Sequence, residues 1–135
     1  MNGNKVLLDS NIIIYLSKGS LDIDEILIDY DEFFISIITY MEVLGFQFDN
    51  QEGKELIEQL LEQFVIIHLD MEIAQEVISI KQKKKIKLPD AIIFATAKKN
   101  DCDLMTHNID DFKNIDETVK IVKPALKTLK HLKKS

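Results

Sequence analysis

Residues 5–19 read KVLLDSNIIIYLSKG. Lys5 to Asp9 form a short, continuously apolar run closed by an acid, which suits a buried strand, and NIIIYLSKG then turns to a more helix-like pattern before Gly19. The same passage recurs along the chain. FFIS at Phe33–Ser36 reads as a second buried strand, and Ser36 or Thr39 can cap a helix that carries Tyr40, Met41, Glu42 and Leu44. VIIHL at Val65–Leu69 reads as a third strand, followed by a helix with Ile73, Val77 and Ile80 turned inward; further strands are expected at Asp103–Thr106 and Val119–Val122. Between these, Leu21–Ile28 gives a short helical pattern with Ile23, Ile26 and Leu27 on one side. EGKELIEQLLEQF, Glu52 to Phe64, is the clearest amphipathic helix, with Leu56, Ile57, Leu60, Leu61 and Phe64 at helical spacing and glutamates opposite. Strands that are apolar throughout rather than alternating, with helices between them, predict a parallel sheet covered on both faces. The expected fold class is therefore α/β, a three-layer α/β/α sandwich around a central parallel sheet of four to five strands.

KLPDAIIFATA, residues 87–97, adds the acid that matters most. A run as apolar as AIIFATA reads as a helix buried on most of its faces, which puts Asp90 at the edge of the core. Pro89 suits a first helical position and an early acid favours the positive end of the helix dipole, so a helix start accounts for Asp90 in part. A carboxylate at the core's edge also needs a metal, a donor or a cation beside it.

At 135 residues the chain fits one domain spanning 1–135, with no repeat or linker. Cys102 is the only cysteine, which excludes an internal disulfide and a cysteine-rich zinc site. The apolar runs are far shorter than a membrane span and the opening MNGNK lacks a signal peptide's form, so a cytoplasmic protein with no membrane association is expected. The net charge of −6 argues against broad, non-specific nucleic-acid binding, but it is unevenly spread. Residues 1–80 hold 16 acids against 3 lysines, a net of −13, while residues 81–135 hold 14 lysines against 7 acids, a net of +7. A basic C-terminal part that follows a phosphate backbone, beside acids that hold a cation, is one reading of this asymmetry; solvated helix faces are the other.

Parallel α/β folds bind ligands at the carboxyl ends of their strands. Asp9 ends the first strand, Glu42 lies in the helix after the second, Asp90 starts a helix, and His107, Asn108, Asp110 and Asp111 follow the strand ending near Thr106. Several carboxylates at one point repel each other and raise each other's pKa unless a cation is present. Oxygen ligands without a cysteine set or a histidine pair suit Mg2+ or Mn2+, which can activate water for in-line attack on a phosphodiester.

LLDSNIIIYL, ISIITYMEVLG, KLPDAIIFATA and LMTHNIDDF resemble, in order and over nearly the whole chain, the four motif regions of PIN-domain proteins, especially the VapC-type ribonuclease toxins of type II toxin-antitoxin pairs. The resemblance implies a PIN-like nuclease domain and a metal-dependent endoribonuclease. It assigns Asp9, Glu42 and Asp90 to the three acidic positions of the metal site, with Asp9 and Asp90 as main ligands and Glu42 holding a water on the metal or removing its proton. Asn11 matches the small polar residue after the first acid. The fourth acidic position falls on Asn108, which contributes an oxygen but no charge. Asp111 reads as a turn acid beside Phe112, or as the group that completes the site in place of Asn108. The resemblance further implies an RNA substrate, a cognate antitoxin that blocks the site, and a homodimer.

Thr106 can hydrogen-bond a site carboxylate or simply end its strand. His68 reads as a strand histidine with a satisfied ring nitrogen, and His107 as a candidate phosphate contact. Lys81–Lys87 and the tail lysines Lys127, Lys130, Lys133 and Lys134 are candidates for positioning an RNA backbone. Ile26, Phe46 and Phe48 suggest apolar surface for a partner. Two other readings stand beside the nuclease: a non-catalytic PIN-like binding module, and an aspartate-nucleophile phosphatase. KVLLDSN resembles the phosphatase motif, but that chemistry needs an acid where Asn11 stands.

Overall fold

The computed structural model describes residues 4–26 and 28–125. Leu27 and the four tail lysines lie outside them. The strands are β1 (Lys5–Leu8), β2 (Glu32–Ser36), β3 (Val65–Ile67), β4 (Asp103–Met105) and β5 (Ile121–Val122). The helices are α1 (Ser10–Ser17), α2 (Ile23–Ile26), α3 (Ile37–Leu44), α4 (Gln51–Leu61), α5 (Met71–Lys83) and α6 (Leu88–Lys99), with a 3-10 turn at Ile109–Asp111. The five strands are all parallel, in the order β3-β2-β1-β4-β5, with Leu7 opposite Phe34 on one side and Leu104 on the other.

Alternate strand residues feed two cores. Leu7, Phe34, Leu104 and Ile121 face α5 and α6, packing with Ile73, Val77, Ile80 and Phe94. Val6, Leu8, Ile35 and Met105 face α1, α2 and α4, packing with Ile12, Ile13, Ile57 and Leu61. Both faces of the sheet are thus covered, which is why its strands carry no polar alternation. The expected three-layer α/β/α sandwich is present, at the upper end of the four to five strands expected. Helix α6 is unlike the rest: Ala91 to Ala97 are all buried, so it has no solvent face over seven residues. Thr96 satisfies its hydroxyl on the Ile92 carbonyl at 2.7 Å, which lets a polar residue sit there.

Side-chain caps start the helices where the sequence offers them. Asp9 caps α1, Ser36 caps α3, and Asp70 caps α5 by accepting from the Ile73 N–H at 2.8 Å. Ser36, not Thr39, is the cap of α3; Thr39 is buried within its first turn. Four strands are shorter than the sequence implies, β1 and β4 by one residue and β3 and β5 by two. Strand β3 ends at Ile67 because its register partner Ser36 is the last residue of β2, so His68 lies past the strand and is exposed instead of being a bonded strand histidine. Likewise β5 pairs only Ile121 with Leu104 and Val122 with Met105, leaving Val119 buried but outside the ladder. Among the described residues no helix is long and apolar enough to cross a membrane.

Candidate active site

Strand β1 is flanked by β2 on one side and β4 on the other, so the chain's direction of winding reverses at the β1–β4 boundary, where α/β sheets open a crevice at their carboxyl ends. Asp9 stands at that boundary. Its N–H donates to the Met105 carbonyl at 2.9 Å, which fixes the end of β1 against the end of β4. Its carboxylate is 7 % exposed and is held by three donors: the Ser10 N–H at 2.8 Å, the Asn11 side-chain amide at 3.3 Å and the Thr106 hydroxyl at 2.8 Å. Thr106 is fully buried and also accepts from the Asn108 N–H at 3.0 Å, so the turn after β4 is tied to the same carboxylate. Asn11 plays a double part, since its oxygen accepts the His107 N–H at 3.1 Å.

Glu42 reaches the site from the sixth residue of α3. The Ser10 hydroxyl donates to Glu42 Oε1 at 2.6 Å and lies 3.3 Å from the Thr39 hydroxyl, so the first turn of α1 holds the glutamate in place. Asp90 enters from the first turn of α6, where Pro89 occupies an early helical position and no side chain caps the helix. Of the five buried polar side chains among the described residues, Asp9, Ser36, Thr39 and Thr106 all lie at this sheet edge. Buried polar groups cost stability unless bonded, so their concentration here marks a built site.

The electrostatics bring in one further acid. Burial raises the Asp9 carboxyl above its ordinary value, against the donors from Thr106 and Ser10, and Glu42 and Asp111 push it the same way as burial. Asp90 is pushed up to about 6, first by burial, then by Asp111 and Asp9, with Lys87 opposing and Glu42 adding to the rise. Asp111, at the end of the 3-10 turn, is therefore within electrostatic reach of both aspartates. Asn108 is exposed, its side chain makes no capping hydrogen bond, and its backbone N–H donates to Thr106. The sequence suggests Asp111 as a turn acid or as a completing one; in the structure its charge bears on the site. His107 is half-buried, edge-on to Tyr15 with ring centroids 5.2 Å apart, and lines a surface hollow together with Asn108 and Asp111.

The donor set is oxygen throughout, and burial among neighbouring acids raises the Asp9 and Asp90 carboxyls, which is what a hard divalent cation relieves. No three Asp, Glu, His or Cys side chains among the described residues are placed to hold an ion between themselves alone. Oxygen donors of this kind are compatible with a hard divalent cation, which can accept one or two carboxylates and complete its shell with water and substrate oxygens. Beside Glu42 and Ser10 opens an apolar groove of about 410 Å³, lined by Ile14, Val43, Phe46, Phe48 and Leu56. Phe46 is 64 % exposed and meets Phe48 edge-on at 5.9 Å, while Ile26 is half-buried, packed against the core and lining a separate surface hollow.

The sequence alone does not single out Ser10, and its part is testable. Ser10→Ala removes the donor to Glu42 and, if the site is catalytic, should lower turnover about tenfold, the usual cost of losing an orienting partner. Stability should fall by no more than about 1–2 kcal/mol, read by urea titration. Unchanged turnover would show that Glu42 needs no such support.

Among known proteins, a chain of a toxin-antitoxin complex from Klebsiella pneumoniae is 34 % identical, with a TM-score of 0.75 over 89 % of this chain and 98 % of that one. A chain of VapBC-1 from nontypeable Haemophilus influenzae is 26 % identical, with a TM-score of 0.71 over 88 % of this chain and 97 % of that one. VapBC2 from Rickettsia felis, bound to a DNA fragment from its promoter, shares the fold at 19 % identity, with a TM-score of 0.78 over 90 % of this chain and 99 % of that one. No curated protein matches the chain by sequence. The family model for the PIN domain matches residues 6–118, a span that holds Asp9, Glu42, Asp90 and Asp111 together with the sheet apart from Lys5 and strand β5. On that match, the chain belongs to the PIN domain family.

Proposed function

We propose that the protein is a VapC-type ribonuclease toxin, hydrolysing RNA phosphodiester bonds with Mg2+ or Mn2+ bound by Asp9 and Asp90. The observation that carries this reading is the set of mutually repelling acids at the β1–β4 crevice, two of them with raised carboxyl pKa values. The divalent cation, when bound, polarises a phosphoryl oxygen and makes a water more acidic. The protein's own groups orient the reactants. Thr106, the Ser10 N–H and Asn11 fix the direction of the Asp9 carboxylate, so its position need not be reorganised during reaction. Glu42, with one oxygen held by Ser10, has the other free to orient the attacking water and take its proton. Asp111 adds negative charge that strengthens cation binding, and Asn108 offers a neutral oxygen.

A cognate antitoxin and a homodimer complete the proposal, as does a cytoplasmic site of action. The similarity to chains of toxin-antitoxin complexes supports the antitoxin. So does the apolar groove beside Glu42, whose exposed Phe46 a partner segment would cover while obstructing the acids.

The test is cleavage of a panel of structured RNAs. Magnesium or manganese should support it and a chelator stop it, and Asp9→Asn should reduce it by at least about a hundredfold, since the main ligand charge is gone. A folded protein that cuts none of the panel with either metal would leave only the binding-module reading.

A further inference from the structure

We infer that the lysine loop between α5 and α6, residues 81–87, is a docking surface for the sugar-phosphate backbone of the RNA, feeding the strand into the acidic crevice. The inference rests on the ribonuclease reading above. Five of these seven residues are lysines, and Lys81, Lys83, Lys84, Lys85 and Lys87 are all exposed. Among the described residues none of the five forms an ion pair with an acid, whereas Lys98 bridges Glu76 and Asp116, and Lys99 and Lys113 also meet acids. The five lysines line one hollow, so an anion spanning several of them relieves the repulsion among like charges.

The loop has a defined form. The Lys84 N–H closes α5 on the Ile80 carbonyl at 2.9 Å, and the Lys81 ammonium donates to the Ile86 carbonyl at 2.6 Å. Ile86 packs against the core under α5 and α6, so the loop is anchored from below while its lysines surround a shallow hollow of about 940 Å³. Its far end runs straight into the site: Lys87 is the residue before α6, and its charge acts on the Asp90 carboxylate. Cations that hold one stretch of phosphates therefore pass directly to acids that hold the metal at the next.

No aromatic residue lies in 81–90, so this surface offers phosphate binding and no base stacking. Its contribution is the same for every RNA sequence, and the choice of target is made elsewhere. An acidic protein segment is the rival occupant, but nothing about such a segment requires the loop to join the acidic site.

The experiment measures cleavage kinetics from about 50 to about 300 mM salt for the wild type, the triple variant Lys83→Gln/Lys84→Gln/Lys85→Gln, Lys87→Gln, and Lys54→Gln on the opposite face as a charge control. The triple variant should raise KM about tenfold or more at low salt with kcat within about twofold. It should also flatten the salt slope by about 2, because each phosphate of a single strand that a lysine neutralises adds about 0.7 to that slope. Lys87→Gln should show the same pattern at smaller scale, and Lys54→Gln none of it. Lys84→Gln alone serves if the triple variant folds poorly. Unchanged KM and salt slope in folded variants of an active enzyme overturn the inference, as does a loss confined to antitoxin affinity. Absence of cleavage by the wild type is a separate result and overturns the ribonuclease reading itself, and this surface with it.

Discussion

On the ribonuclease reading, Asp90→Asn should abolish cleavage, by about a thousandfold or more, and at the same time make the metal-free protein more stable. The two effects have one cause. Burial and the charges of Asp111, Asp9 and Glu42 lift the Asp90 carboxyl from 3.8 to about 6 despite Lys87. A carboxyl with a raised pKa in the folded chain holds its proton more tightly there than when unfolded, so the folded state is favoured by that proton at low pH. That advantage is lost as pH rises from about 4 to about 6, and at neutral pH the ionised group opposes folding. Allowing for solvent around a partly exposed carboxylate, the cost is of order 1–2 kcal/mol. Asparagine keeps the shape without the charge, so the melting temperature in chelator at pH 7.5 should rise by about 3–8 °C. The wild type should melt higher at pH 4.5 than at pH 7.5 in chelator, and magnesium should remove most of that difference. A lower melting temperature for the asparagine variant would mean that Asp90 serves only the start of α6.

Phe94→Ala should cost about 3–5 kcal/mol, the largest stability loss expected from any single change in α6. Phe94 is fully buried and lies mid-helix in a segment with no solvent face, so neighbouring side chains cannot collapse into the space from an exposed side. Against a typical total of about 5–15 kcal/mol, much of the protein's stability goes with it. Urea titration reads the loss, and cleavage should fall as well, because the same helix carries Asp90 at its exposed end. A loss below about 1 kcal/mol would show that α6 is not the central element of its core.

Much of this architecture is legible in the sequence because the signals are local. KVLLD declares a buried strand by the unbroken apolar run Val6–Leu8, and AIIFATA declares a buried helix in a similar way. The rule that ligands gather at the carboxyl ends of parallel strands then brings Asp9, Glu42 and Asp90 to one edge. What the sequence leaves open depends on the meeting of distant segments. Ser10 looks like an ordinary early-helix serine until α1 and α3 are seen to lie side by side, which sets its hydroxyl on Glu42. NIDDF leaves open whether Asp111 is a turn acid or a site acid, and its electrostatic influence on Asp9 and Asp90 emerges only with the fold. His68 misleads because VIIHL is apolar on both sides of it, while the length of β3 is set by where β2 ends.

The bond from Thr106 to Asp9 joins residues 97 apart in sequence. During synthesis, β1 leaves the ribosome with its acid uncovered, long before the strand that must lie beside it. Neither the Thr106 hydroxyl that completes the hold on Asp9 nor the helix that presents Asp90 exists until that intervening stretch has emerged. A stalled chain that stops short of β4 therefore carries the first acid without the crevice. For a protein whose activity would be directed at RNA, the order of the strands acts as a timer: the ribosome making it must pass through four of the five strands before anything capable of cutting can form.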